Sequence, residues 1–282
     1  RVVALTVPQP MTVRLNFTSG FVLDALPGWA EVLGLPMDDR KKALADPAVR
    51  KRLDERANSE EAGLLRALAN WSNMIVNETF DPANQDLVGR TIGEISQELG
   101  KTPFDTMVDL ALSEDLKTSL RPIIMGEDED SWKLRAEVWQ DDRAVIGASD
   151  AGAHLDMIDT FAFSTQVLGN GVRKRGLLSF EEAVKQLTDV PARLYGLRER
   201  GRLEEGWHAD VVVFDPQTVD SGPTYTRFDL PADAGRLYAD AEGIEHVVVA
   251  GQEIIRGQEF TGAKAGTVLR SGRDTDTVEA GA

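Results

Sequence analysis

Two ionisable side chains, Asp150 and His154, follow an apolar run in the segment AVIGASDAGAH, residues 144–154. A carboxylate at the end of a strand can bind a metal ion or act as a general base, and a nearby imidazole can assist either chemistry. Asp is also a favoured helix N-cap, and a helix beginning after Asp150 would place both side chains near its first turn. The pattern alone favours the cap over catalysis.

Other residues of this segment bear on the same choice. The small residues Gly147, Ala148, Ala151 and Gly152 would leave room for a substrate around the carboxylate. Ser149 has no candidate base other than His154, so a serine nucleophile is a weak alternative. No phosphate-binding glycine loop and no G-x-S-x-G nucleophile motif occurs in the sequence.

Composition excludes several functional classes. The chain has 282 residues, with Lys+Arg 31 against Asp+Glu 47 and a net charge of −16, so it should repel nucleic acid and anionic membranes. There are no cysteines, which excludes disulfides, thiolate zinc sites and a cysteine nucleophile. No run of about 18 apolar residues and no signal peptide is visible, so we expect a cytoplasmic protein.

Apolar and amphipathic runs predict alternating strands and helices of the α/β class. Strands buried on both faces of one parallel sheet are predicted at residues 2–7, 74–78 and 145–148. Helices are predicted at residues 38–45, 46–55, 91–99, 104–112 and 180–188, the last opened by a capping box of Ser179 and Glu182. Short Val- and Ile-rich strands follow residue 198, including a hairpin whose turn is predicted at Ala250-Gly251-Gln252, between residues 247–249 and 253–255.

Three segments together resemble the end of an amidohydrolase-superfamily enzyme of the D-aminoacylase (N-acyl-D-amino-acid deacylase) branch. They are AVIGASDAGAH, LTDVPARLYGLRERGRLEEGWHADVVVFDP and VVVAGQEIIRGQEFTG. The resemblance implies a (β/α)8 barrel with one or two divalent metals, usually zinc. Asp150 matches the aspartate after strand eight, which contacts the metal and its water and serves as general base. The same resemblance suggests that Ser149, Gly152 and His154 support the site or face the substrate.

The resemblance covers only part of such an enzyme. An H-x-H pair and the other metal-binding histidines are missing, and Gln9 stands where strand six could offer a ligand. We therefore expect residues 1–197 to be about strands six to eight of the barrel, residues 198–268 a small β-sandwich domain, and residues 269–282 a disordered tail. The expected partners are the missing N-terminal half of the barrel, a small-molecule amide substrate and, in a homo-oligomer, further copies.

Two functions follow from these patterns. The first is a metal-dependent hydrolase of a C–N amide bond with Asp150 as general base, inactive as the present chain alone. In D-aminoacylases an arginine after the strand-eight aspartate holds the substrate carboxylate, but here no arginine occurs between His154 and Arg173. We therefore expect weak preference for free N-acyl-D-amino acids. The second function is a non-catalytic scaffold or assembly module in which Asp150 caps a helix.

Overall fold

A computed structural model describes residues 2–123, 126–150 and 152–278. They mix helices and strands and divide into two compact units. The main unit comprises Arg1–Met11 and Met125–Ala282, and the inserted unit comprises Thr12–Ile124. The boundary expected near residue 198 falls inside the main unit and stays a prediction. Among the described residues, no helix has the length and apolar character needed to span a bilayer.

The secondary structure alternates along the chain. The α-helices are α1 (Ala30–Leu33), α2 (Met37–Ala45), α3 (Pro47–Ala57), α4 (Ile92–Leu99), α5 (Pro103–Ser113), α6 (Glu129–Gln140), α7 (Phe163–Gln166), α8 (Phe180–Leu187) and α9 (Asp189–Leu194). The strands are β1 (Ala4–Thr6), β2 (Ile75–Glu78), β3 (Ser119–Arg121), β4 (Ala144–Ile146), β5 (Val211–Phe214), β6 (Asp220–Ser221), β7 (Tyr225–Arg227), β8 (Arg236–Tyr238), β9 (Ala241–Glu242), β10 (Ile244–Val249), β11 (Gln252–Arg256) and β12 (Glu259–Phe260). The 3-10 helices are Leu23–Ala25, Glu60–Ala69, Trp71–Asn73, Pro82–Leu87, Thr160–Ala162 and Pro231–Asp233, and a π-helix spans Val167–Lys174.

Local signals in the inserted unit determine where its helices begin and end. The Thr91 side chain accepts a hydrogen bond from the Glu94 backbone N–H, and the Glu94 carboxylate accepts one from the Thr91 N–H, which forms a capping box at α4. The helix ends at Gly100, whose φ of 63° suits a residue without a Cβ. The helices predicted at residues 91–99 and 104–112 are confirmed as α4 and α5.

The pairing of β2 differs from the prediction. We expected residues 74–78 to join a parallel sheet with the other two apolar runs, but β2 pairs antiparallel with β3 inside the inserted unit. An apolar run of this length suits a buried strand of either kind, and only its partner decides the direction. The prediction was therefore right about the strand and wrong about its sheet.

In the main unit, β1 and β4 form a parallel pair with Thr6 opposite Ile146. Val145 and Ile146 are buried, and Ile146 packs with Trp132 and Trp139 in the core. By contrast, Leu5 of β1 is 48% exposed, so the expectation that β1 is buried on both faces is wrong. Among the described residues, β4 is the one strand that pairs with β1, so the other edge of β1 has no strand partner there.

The helix after Ser179 begins as the sequence predicts, but with half of the expected capping box. Ser179 Oγ accepts a hydrogen bond from the Glu182 N–H at 3.2 Å. The Glu182 carboxylate instead accepts bonds from Lys185 and Gln186 one turn further along α8. The Ser179 N-cap therefore marks the start of α8, while Glu182 stabilises its interior.

The residues after 198 form antiparallel sheets. One sheet has the strand order β12-β11-β10-β5, and two further pairs are β6 with β9 and β7 with β8. The predicted hairpin between β10 and β11 is confirmed, with a turn one residue shorter than expected, because Gln252 already pairs with Val249 as the first residue of β11. The φ values of Ala250 and Gly251, 49° and 77°, match the twist of a two-residue turn. The β-sandwich arrangement stays a prediction. In the tail, Arg198 Nε donates to Asp276 at 2.7 Å.

Candidate functional site

The loop that carries Asp150 comprises residues 147–159, between β4 and the following 3-10 helix, and is called the Asp150 loop here. Its start is bonded to the end of β1, because the backbone N–H groups of Gly147 and Ala148 both donate to the Thr6 carbonyl, at 3.4 and 3.3 Å. The Ser149 carbonyl accepts a hydrogen bond from the Thr160 hydroxyl. Asp150 is therefore preceded by backbone that is held at three consecutive residues.

The second half of the Asp150 loop is also anchored. The Leu155 carbonyl accepts a hydrogen bond of 2.7 Å from the Leu237 N–H of β8. The His154 carbonyl accepts bonds from the N–H groups of Met157 and Ile158, which closes a turn. Hydrogen bonds thus hold both ends of the Asp150 loop, while Asp150, Gly152 and His154 between them are exposed. An anchored loop limits the positions that its side chains can take.

Asp150 is exposed and has a φ of 52°, in the left-handed region. An N-cap residue has extended dihedrals and is followed directly by helix, whereas described residues 152–159 form turns and the next helix begins at Thr160. The expectation that Asp150 caps a helix is therefore wrong. No hydrogen bond or ion pair within the described ranges engages its carboxylate. Asp adopts the left-handed region more readily than most residues, so this φ is consistent with a turn position.

The other site residues of the sequence analysis lie in the same loop. Ser149 is half-buried and is held through its carbonyl. Gly152 is exposed with a φ of 98°, and a Cβ added there would meet no atom within 4 Å. His154 is exposed with a φ of 48°, in a turn rather than in the first helical turn that we considered. Ala151 lies outside the described residues.

A cavity of about 260 Å³ adjoins the loop. One wall is formed by loop residues, and the other by β8 and the residue after it. The lining residues are Gly152, Ala153, Leu155, Ile158, Phe161, Arg236, Leu237, Tyr238 and Ala239. Gly152 and Asp150 are two residues apart, so their Cα atoms are separated by at most about 7 Å. A small molecule in this cavity would therefore lie within reach of the Asp150 segment.

Sequence reasoning missed Arg236 and Tyr238 as neighbours of the loop, because they belong to the region assigned to a separate domain. Arg236 lies 5.2 Å from the Tyr238 ring centroid and donates two hydrogen bonds, of 2.6 and 2.7 Å, to Asp229. Hydrogen bonds from Arg236 lower the pKa of Asp229. The Arg236 guanidinium is thus already paired with the Asp229 carboxylate. An arginine that is paired in this way is compatible with the expected weak preference for substrates with a free carboxylate.

A larger cavity, of about 680 Å³, has an apolar lining contributed mainly by α8, α9, β5 and β10. Its described lining includes no residue of the Asp150 loop. The larger cavity is lined by one carboxylate, that of Asp210, which forms an ion pair with Arg200 at 3.3 Å. The smaller cavity is the candidate site because it adjoins Asp150, whose carboxylate has no ion pair among the described residues.

The turn before β4 is held by Asp141 and Arg143. The Asp141 carboxylate accepts bonds of 2.9 Å from the Arg143 Nε and from its backbone N–H. These interactions, the Arg143 side chain first, hold the pKa of Asp141 well below its ordinary value of 3.8. Since Ala144 N–H donates to the Asp141 carbonyl at 3.0 Å, the same turn aligns the entry to β4.

A lowered pKa in the folded state makes stability depend on pH. The ionised Asp141 should contribute fully above about pH 5, and its contribution should be lost as the pH falls below 3.8 towards the folded-state value. We expect Asp141→Asn to lower the thermal midpoint slightly at pH 7, since the pair is exposed. The difference from wild type should shrink at about pH 2.5. An equal difference at both pH values would contradict this role.

A sequence profile of the amidohydrolase family matches residues 90–255. The chain belongs to the amidohydrolase family. Its relatives include a D-aminoacylase of Alcaligenes xylosoxydans xylosoxydans, 32% identical over 188 residues, which are 65% of this chain and 34% of that protein. An N-acyl-D-glutamate deacylase of the same organism is 41% identical over 118 residues, 40% of this chain and 22% of that protein.

Among solved structures, a D-aminoacylase described as having a binuclear metal centre is 30% identical, with a TM-score of 0.41. The match covers 68% of this chain and 36% of that one. The chain therefore spans about a third of the length of the D-aminoacylases that it matches.

The family implies a bound metal ion, which needs several donor side chains close together. Within residues 2–123, 126–150 and 152–278, no group of three or more His, Cys, Asp or Glu side chains is positioned to hold a metal ion. A zinc site in proteins takes three or four such ligands, and Asp150 could supply one. The described residues do not by themselves fit a zinc site.

Proposed function

We propose that this chain is the C-terminal part of an amidohydrolase that cleaves the C–N amide bond of a small molecule, with Asp150 as general base. The observation that carries the proposal is the presentation of Asp150. Its carboxylate follows a strand of a parallel pair, is exposed on an anchored loop, and has no structural partner among the described residues. Active sites of α/β barrels lie at this end of the strands.

The proposed reaction assigns two proton transfers to Asp150. A water oxygen attacks the amide carbonyl carbon while the carboxylate accepts a proton from that water. The C–N bond then breaks, and the protonated Asp150 side chain gives this proton to the leaving nitrogen. Ser149, Gly152 and His154 belong to the surroundings of the substrate in this proposal, and zinc stays a proposed cofactor of the full-length protein.

The pairing of β1 with β4 supports a different strand numbering within the proposed barrel. Neighbouring strands of a barrel are consecutive in the chain, so if β4 is strand eight, its parallel neighbour β1 corresponds to strand seven rather than six. The proposed barrel part then comprises two strands, with the remaining strands in the part of a longer protein that precedes this chain.

A non-catalytic assembly module remains the second candidate. The observation that favours it is the lack, among the described residues, of a group of side chains able to hold a metal. Its original structural argument, a helix cap at Asp150, is no longer available because no described helix begins there. We therefore favour the hydrolase.

Steady-state kinetics of the full-length protein test the hydrolase. The substrates are N-acetyl-D-amino acids, their L counterparts, the corresponding neutral C-terminal amides and cyclic imides. We expect hydrolysis of at least one amide, with kcat/KM changing by less than about tenfold when a free carboxylate is replaced by a neutral amide, because Arg236 is paired with Asp229. A strong preference for the free carboxylate would contradict the second expectation. If the full-length protein hydrolyses none of these substrates, the proposed function is wrong.

A further inference from the structure

The cavity beside the Asp150 loop has a mainly apolar lining. Four of its lining residues have large apolar side chains, Leu155, Ile158, Phe161 and Leu237, and three more are Gly or Ala. Cavities that bind small molecules have mainly apolar walls with a few polar groups that fix the orientation of the ligand. This lining therefore suits an apolar group better than a charged one.

The one charged residue of this lining is already paired. Arg236 donates hydrogen bonds of 2.6 and 2.7 Å to the Asp229 carboxylate. The ring of Tyr238, in the same wall, lies 3.7 Å from the Arg227 guanidinium and 5.9 Å from the Tyr225 ring, measured from its centroid. A charged substrate group would lose its water in this cavity without gaining an unpaired partner, whereas an apolar group would gain by leaving water.

The cavity is large enough for an aromatic ring or a branched alkyl group. Its volume is about 260 Å³. An apolar protein cavity of about 150 Å³ lined by Leu, Ile and Phe holds a benzene molecule. A phenyl ring therefore fits here, whereas an acetyl group would leave most of the cavity empty.

Leu155 is the large apolar residue of the lining that is most open to a ligand. Its side chain is 46% exposed, and its carbonyl is fixed by the hydrogen bond of 2.7 Å from the Leu237 N–H of β8. It lies five residues after Asp150 in the same loop, and Gly152 between them lines the same cavity. A substrate group that covers Leu155 would remove apolar surface from water beside the proposed base.

We propose that this cavity binds an apolar group of the substrate, about as large as a phenyl ring, and that Leu155 determines this specificity. The inference rests on the proposed function and narrows its substrate class to amides with a large apolar substituent close to the scissile bond. Burial of a group remote from the carbonyl supplies binding energy that positions the amide for attack. The acyl part and the amine part could each carry the group, and matched substrates distinguish the two.

Three neutral amides test the cavity in the full-length protein. They are N-acetyl-D-alaninamide, N-phenylacetyl-D-alaninamide with a ring on the acyl part, and N-acetyl-D-phenylalaninamide with a ring on the amine part. We expect at least one ring-bearing amide to exceed the first in kcat/KM by about tenfold or more. Leu155→Gln replaces the apolar side chain by a polar one of similar size. It should lower that advantage about threefold to fivefold and leave kcat/KM for N-acetyl-D-alaninamide unchanged.

Leu203→Gln is the matched control. Leu203 is also exposed, at 76%, and it lines the larger cavity rather than this one. This variant should keep the wild-type ratio of kcat/KM between the ring-bearing amide and the small one. If Leu203→Gln lowered that ratio and Leu155→Gln did not, the larger cavity would bind the ring and the inference would be wrong.

The outcomes separate this inference from the proposed function. If the protein hydrolyses amides but gains nothing from either ring, the cavity does not bind a substrate group. An advantage that Leu155→Gln leaves unchanged would place the ring elsewhere. An equal loss on all three amides would assign Leu155 a structural role in the loop, and would also overturn the inference. If the protein hydrolyses neither these amides nor the other substrates named above, the proposed function itself is wrong.

Discussion

Asp150→Asn in the full-length protein is expected to lower kcat by about 10²–10⁴-fold, the range typical of a lost general base. The amide keeps the size of the carboxylate but cannot accept the proton of the attacking water. Folding should be unaffected, because Asn tolerates the left-handed region in which Asp150 lies, with a φ of 52°. Turnover rates and the thermal midpoint, measured on the same preparation, check both expectations.

Asp233→Asn is the matched control for that experiment. Asp233 is likewise exposed and has a φ of 56°, in the 3-10 helix Pro231–Asp233 of the main unit. Asp233→Asn removes the same charge and makes the same change of residue type as Asp150→Asn. It should leave kcat within about twofold of wild type, because Asp233 is not the proposed base. Near-wild-type turnover of Asp150→Asn would contradict the catalytic role of Asp150 and would favour the non-catalytic assembly module.

Trp29→Ala should destabilise the inserted unit by about 3–5 kcal/mol, the usual cost of truncating a large core aromatic. Trp29 is fully buried and stacks on Trp71 at 5.6 Å and on Phe17 at 6.3 Å between ring centroids. Phe104 packs against its ring edge at 5.8 Å, and its indole N–H donates to the Leu53 carbonyl at 2.9 Å. The substitution therefore leaves a large cavity and an unpaired carbonyl.

Two further variants show whether the loss of stability comes from the aromatic contacts of Trp29. Trp29→Phe should cost less, because it keeps most of the ring contacts and loses the N–H donor. Leu64→Ala, in the same unit, should change the free energy of unfolding by no more than about 0.5 kcal/mol, since Leu64 is 97% exposed. Denaturant unfolding followed by tryptophan fluorescence compares the three. Equal effects of Trp29→Ala and Leu64→Ala would mean that the aromatic cluster does not stabilise the unit.

The sequence by itself predicted features that depend on a few consecutive residues. The limits of α4 follow from Thr91, Glu94 and Gly100, and the hairpin follows from Ala250-Gly251. Each of these signals depends on hydrogen bonds and backbone angles within a few consecutive residues, so it can be recognised from the local sequence. The family resemblance was equally readable, because its segments lie close together around Asp150 and the strands that follow.

Only the tertiary structure decided which distant segments meet. It paired β2 with β3 rather than with the parallel strands, and it placed Arg236 beside the Asp150 loop, far from it in the chain. It also placed Asp150 as an exposed residue on a turn, where the sequence pattern favoured a helix cap. Strand partners and cavity walls depend on which surfaces pack together across the whole chain, and such packing leaves no signal in a short window of sequence.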